Sequence, residues 1–148
     1  MRRLFLVIPL VFACAKSDAP KPDAGAPAPT APAALTEADL AGTWKGTTMP
    51  VGSDSVVGRW TQICAAGACK GITEGSKDTA MSTYVLAGDS STGVSAPYTD
   101  PTIKGGKVIS HWVVRLTNGM ATGTGHFNLA SKPDSVLIAY HFAGSRAP

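Results

Sequence analysis

Apolar and polar positions divide the chain into three stretches. Leu4 to Phe12 is a short, nearly unbroken apolar run. Lys16 to Ala34 has no bulky apolar residue, and Pro20, Pro22, Pro27, Pro29 and Pro32 alternate there with alanines and a few polar residues. From Leu35 onward, short runs rich in Val, Thr and aromatics are separated by Gly, Asp and Pro clusters. This last stretch opens with Leu35-Thr36-Glu37-Ala38-Asp39-Leu40, where Thr36 and Asp39 have capping-box spacing and predict a single helical turn. No later segment has a 3.6-residue period. Two-residue alternation with regular turn signals predicts strands at Gly42–Met49, Ser55–Cys64, Cys69–Thr73, Thr79–Ala87, Ser91–Ser95, Lys107–Thr117, Met120–Ala130 and Ser135–Ser145. Strands joined mostly by tight turns fit an all-β, single, small antiparallel up-and-down barrel, whose closure removes exposed edges. A β-sandwich, seven-stranded if the short fifth segment is lost, is the alternative.

The last three strands carry enough pattern to assign faces. Asn118-Gly119 signals a two-residue type I′ hairpin and pairs Thr117 with Met120. That register places Trp112 opposite Gly125 and Val114 opposite Gly123, glycines making room for large neighbours. Alternation then puts Val108, Ser110, Trp112, Val114 and Leu116 inside, continued by Phe127 and Leu129, then by Val136, Ile138, Tyr140 and Phe142. A turn centred on Pro133-Asp134 would pair Lys132 with Ser135. With both turns in place, His111 faces His126 and His126 faces His141. The three histidines would then form one row on the outer face. Opposed Cβ atoms lie about 4.5–5.5 Å apart, within reach of a shared Zn or Ni ion. The alternative is a solvated polar row.

Arg2 and Arg3, the apolar run and the small residue Ala13 make a secretory signal peptide. The run is about half the length a spanning helix needs. Val11-Phe12-Ala13-Cys14 resembles the lipobox of bacterial lipoproteins. That resemblance implies cleavage before Cys14, lipid on its sulfur and amine, and anchoring in the bacterial cell envelope. Ala15 in place of an Asp favours, by the same resemblance, the outer membrane, facing the periplasm or the cell surface. The resulting plan is a signal peptide over 1–13, the lipidated cysteine and Pro/Ala linker over 14–34, and the β-domain over 35–148. Proline biases the linker toward extended polyproline II, with a reach of up to roughly 60 Å.

Export bears on the remaining cysteines. Cys64 and Cys69 bracket a four-residue loop, are directly opposed across a hairpin, and read as a structural disulfide in an oxidising compartment. Charge adds little. The chain carries 13 Lys+Arg against 10 Asp+Glu, and loss of Arg2 and Arg3 leaves 11 against 10, near +1. No clustered basic face points to nucleic acid. Phosphate-binding Gly-x-Gly-x-x-Gly and Walker patterns are absent, as are His-Glu-x-x-His and Gly-x-Ser-x-Gly. Glu37 and Glu74, the only glutamates, sit near turns. No catalytic residue is nominated.

Gly42-Thr43-Trp44 after a short helical turn resembles the Gly-x-Trp start of lipocalins and other calycin barrels. The resemblance implies that Trp44 plugs one barrel end, with a basic residue on or after the last strand lying across it, the position of Arg146. Trp44, Trp60, Trp112, Phe127, Tyr140 and Phe142 are the interior and ligand candidates. The expectation is a non-enzymatic, lipid-anchored envelope protein without a cofactor, binding a small apolar ligand or another envelope component. Two other readings remain: a structural or interaction module with a fully packed barrel, and a metal-binding protein using His111, His126 and His141.

Overall fold

The computed structural model describes residues 33–148. The expected signal peptide, Cys14 and most of the expected linker lie outside these residues. The described chain is a one-turn helix α1 (Glu37–Leu40) followed by eight strands: β1 (Gly42–Pro50), β2 (Gly58–Ala65), β3 (Ala68–Thr73), β4 (Ala80–Ala87), β5 (Ser90–Ser95), β6 (Val108–Thr117), β7 (Met120–Leu129) and β8 (Lys132–Arg146). Each strand pairs antiparallel with the next, and β8 returns to β1, closing the barrel in sequence order. The sandwich alternative is thereby excluded.

Local chemistry sets the element ends. Thr36 and Asp39 form the reciprocal capping box that starts α1. Asn118 (φ 52°) and Gly119 (φ 76°) both occupy the left-handed region that a type I′ turn requires. They fix β6 against β7 with His111 opposite His126, Trp112 opposite Gly125 and Thr117 opposite Met120, as the sequence predicts.

The β7–β8 register departs from expectation. The turn lies at Ala130-Ser131, with Leu129 opposite Lys132, and Pro133-Asp134 belongs to β8. Pro133 has no N–H to give a ladder. Its carbonyl instead accepts from Asn128 Nδ2 at 2.7 Å, and the register shifts on both sides of Asn128. These irregularities absorb the extra length of β8 (15 residues against 10 in β7). Beyond them, His126 faces Ala139, not His141, and His141 faces Thr124. The slide is two residues, so inner and outer faces are preserved through most of β8. Val136 is the exception. Paired with Asn128 across the bulge, it moves to the outer face and is 60% exposed.

Two clusters close the interior. At one end, Leu40, Trp44, the Cys64–Cys69 bridge, Tyr84, Val114 and Ala121 pack together. At the other, Val108, Phe127 and Tyr140 meet Tyr98 and Ile103, delivered by the 96–107 connection. That connection is pinned by paired backbone hydrogen bonds between Tyr98 and Val108.

Candidate functional site

The first end of the barrel is built from residues distant in sequence. Trp44 is buried, and its indole N–H donates to the Leu40 carbonyl at 2.8 Å. The Arg146 guanidinium lies 5.0 Å from the centre of the Trp44 ring and donates to the Asp39 carbonyl at 2.6 Å. Glu37 accepts from the Tyr84 hydroxyl at 2.5 Å and from the Gly67 N–H at 3.3 Å. Burial, followed by this carboxylate bond, raises the Tyr84 pKa. Helix α1 is thus tied to β4, to the β2–β3 turn and to the end of β8. Cys64 and Cys69 are directly paired and bonded, with Cα atoms 4.1 Å apart, on the inner wall near this end.

Between the two clusters lies a cavity of about 250 Å³. All six aromatic residues nominated from the sequence line it: Trp44, Trp60, Trp112, Phe127, Tyr140 and Phe142. Inner-face glycines decide how four of these rings lie. A Cβ on Gly93 would stand 2.1 Å from the Trp112 ring, one on Gly46 2.3 Å from Trp60, one on Gly123 2.4 Å from Phe142, and one on Gly125 2.5 Å from Tyr140. The rings therefore occupy the space a Cβ would fill, in close approach to bare backbone. Trp112 is paired with Gly125 as expected, but its ring rests over Gly93 on the other neighbouring strand, and Tyr140 takes the space over Gly125. Val57 and Ile138, 46% and 40% exposed, stand at the solvent-facing rim.

The second end is polar within its apolar shell. Ser110 Oγ and Tyr140 Oη are 2.6 Å apart, and the Ser95 hydroxyl accepts from the Ser110 N–H. Asp100 is only 4% exposed. It accepts from the Thr73 hydroxyl at 3.2 Å and from the N–H and hydroxyl of Thr102. Burial raises the Tyr98 pKa above the ordinary phenol range, and the nearby Asp100 charge adds to it. Burial likewise pushes Tyr140 up to about 12, against the opposing Ser110 bond and with a smaller push from Asp100. Asp100, Tyr98 and Ser82 were not nominated from sequence. Serine at inner-facing positions of an alternating strand was a readable sign. Asp100 had none, because it sits in a connection without periodicity.

The outer-face histidines divide. His111 and His126 stack, with ring centroids 4.8 Å apart and planes 10° from parallel. Burial and then the neighbouring His126 lower the His111 pKa. His141 lies instead between Thr124 and Met49, so the expected row of three is not assembled. Among the described residues, no three His, Cys, Asp or Glu side chains gather as a metal-binding group. Comparison with protein-family models, curated proteins and solved structures finds no match to this chain.

Proposed function

We propose that this is a lipid-anchored cell-envelope protein of non-enzymatic type whose barrel binds a small, largely apolar ligand. The observation that carries the binding reading is the aromatic-lined cavity of about 250 Å³. A fully packed barrel would leave no such space, since protein interiors retain few voids larger than water. An engineered apolar cavity of about 150 Å³ holds a benzene molecule, so one aromatic ring with a short arm fits here. Among the described residues, the ionisable side chains along the cavity wall are Asp100, two neutral tyrosines and a bonded cysteine pair. That set suits holding a ligand better than acid–base or nucleophilic chemistry, which needs a paired base. Anchoring rests on the Val11-Phe12-Ala13-Cys14 pattern alone.

All three tryptophans line the cavity, so intrinsic fluorescence is a direct reporter. Titration with neutral 2-phenylethanol should change the emission saturably. Nine or so non-hydrogen atoms at ordinary ligand efficiency give a Kd on the order of 0.1–1 mM. Gly71 faces the cavity, and a Cβ there meets nothing closer than 3.7 Å. Gly71→Leu should fill the space and remove binding without unfolding the barrel. A linear, unsaturable response in the wild type would overturn the reading.

A further inference from the structure

The cavity is asymmetric in charge. Among the described residues, Asp100 is the only carboxylate on its wall, and no Lys, Arg or His side chain lines it. The groups that meet Asp100, the Thr73 and Thr102 hydroxyls, the Thr102 N–H and the neighbouring Tyr98 phenol, are all neutral. Asp100 forms no ion pair among the described residues; the one ion pair there joins Arg115 to Asp89 at the surface. A carboxylate out of water without a counter-charge is costly. Neutral donors spread that charge over its lone pairs without balancing it. The phenols of Tyr98 and Tyr140, both well buried, stay neutral into the alkaline range and supply no charge of their own.

We infer that the cavity is built for a small aromatic amine in its cationic form. The ammonium would sit at Asp100 and the ring against Trp60, Trp112 and Phe142. This rests on the ligand-binding reading and narrows it to a ligand class. A neutral ligand would leave Asp100 uncompensated, and an anion would be repelled in a low-dielectric space where screening is weak. A bare divalent cation needs several oxygen ligands, and a single carboxylate among hydroxyls is a poor match. An ammonium needs one charge and a few acceptors, which Asp100 and the neighbouring hydroxyl oxygens present. Aromatic faces add cation–π attraction. The volume admits one ring and a two- or three-carbon arm, judged against the roughly 150 Å³ that holds benzene.

The test compares three ligands of one shape at neutral pH: 2-phenylethylamine, 2-phenylethanol and phenylacetate, each titrated into the purified protein by calorimetry and tryptophan fluorescence. A hydrogen bond to a charged group is worth enough to predict that the amine binds about 10- to 100-fold more tightly than the alcohol, with the acid weakest. Asp100→Asn keeps the side-chain shape and removes the charge. It should bring the amine to the affinity that the alcohol has for the same variant. If Asp100→Asn does not fold, the wild-type order of the three ligands decides by itself. Binding of the alcohol with no advantage for the amine would overturn this inference and leave the apolar-ligand reading standing. An amine preference that survives Asp100→Asn would also overturn it. Absence of binding by all three would overturn both.

Discussion

Replacing Gly93 by alanine should destabilise the barrel, whereas the same change at Gly71 should not. Both glycines lie on the inner face, on β5 and β3. At Gly93, the new methyl would stand 2.1, 2.3 and 2.6 Å from three atoms of the Trp112 ring. Trp112 is flanked by Tyr84, with ring centroids 6.4 Å apart, so relief requires moving the indole toward the cavity. Overpacking of this kind costs about 1–3 kcal/mol. It is offset in part by the roughly 0.4–1 kcal/mol that alanine contributes by restricting the unfolded chain. The net loss should be about 1–2 kcal/mol, lowering Tm by roughly 3–9 °C for a domain of this size. At Gly71 the nearest atoms to a Cβ are 3.7, 3.8 and 3.9 Å away, ordinary contact distances. Only the unfolded-state effect remains, so Gly71→Ala should leave stability unchanged or raise it by up to about 1 kcal/mol. Thermal and urea melts followed by tryptophan fluorescence measure both, and Gly93→Ala should also change native emission because Trp112 moves. Melting of Gly93→Ala within a degree or so of the wild type, or an equal loss at Gly71, would show that the Trp112 ring does not occupy the space over Gly93.

Metabolic labelling with a fatty acid should mark the wild type and not Cys14→Ser; an unlabelled wild type with a different mature N-terminus would remove the lipid anchor. Reducing the Cys64–Cys69 bond should cost roughly 2–3 kcal/mol by the chain-entropy argument for a short loop and lower Tm without preventing folding; free thiols in the protein purified without reductant would refute the pairing. Because the folded-state pKa of His111 is depressed, its contribution is present above the unfolded value near 6.5 and is lost as pH falls through the lower folded value. Urea midpoints should therefore drop on acidification below about pH 6.5, and His126→Gln should flatten that drop by removing one source of the depression; an unchanged profile would show that the stacked pair is not coupled.

The barrel was legible because alternation, turn chemistry and cysteine spacing act locally and agree. Asn118-Gly119 specifies one hairpin geometry, and Cys64 and Cys69 can meet only if β2 and β3 pair as they do. The β7–β8 register was not legible, because Lys132-Pro133-Asp134-Ser135 reads as a turn by composition. Its actual role depends on Asn128, a residue of the opposite strand whose amide meets the Pro133 carbonyl. One misplaced turn separated His141 from His126 and removed the three-histidine row, while the even slide left the inner residues Tyr140 and Phe142 in place. Asp100 escaped notice for a related reason. Its burial is created by the 96–107 connection folding back until Thr73 and Tyr98 surround it, a tertiary event with no trace in local periodicity.

The space inside follows from which small residues share the inner face. A barrel of eight strands is just wide enough to be filled by its own side chains or to hold one small ligand. Here Trp60 lies over Gly46 and Gly144, Trp112 over Gly93, Phe142 over Gly123 and Tyr140 over Gly125. Each large ring spends its volume against the wall instead of across the bore. The sector formed by β4, β5 and β6 adds Ser82, Ser91, Ser95 and Ser110, all buried and all too small to cross it. Serine hydroxyls in that sector also need partners once they leave water. Ser110 meets Tyr140, Ser95 meets the backbone of Ser110, and Ser91 meets the carbonyl of Val85. These bonds hold the wall in shape while adding little bulk. Glycine at the aromatic contacts and serine along β4, β5 and β6 thus produce one result together: a bore with aromatic faces, a hydroxyl-lined flank and, among the described residues, a single buried carboxylate near one end.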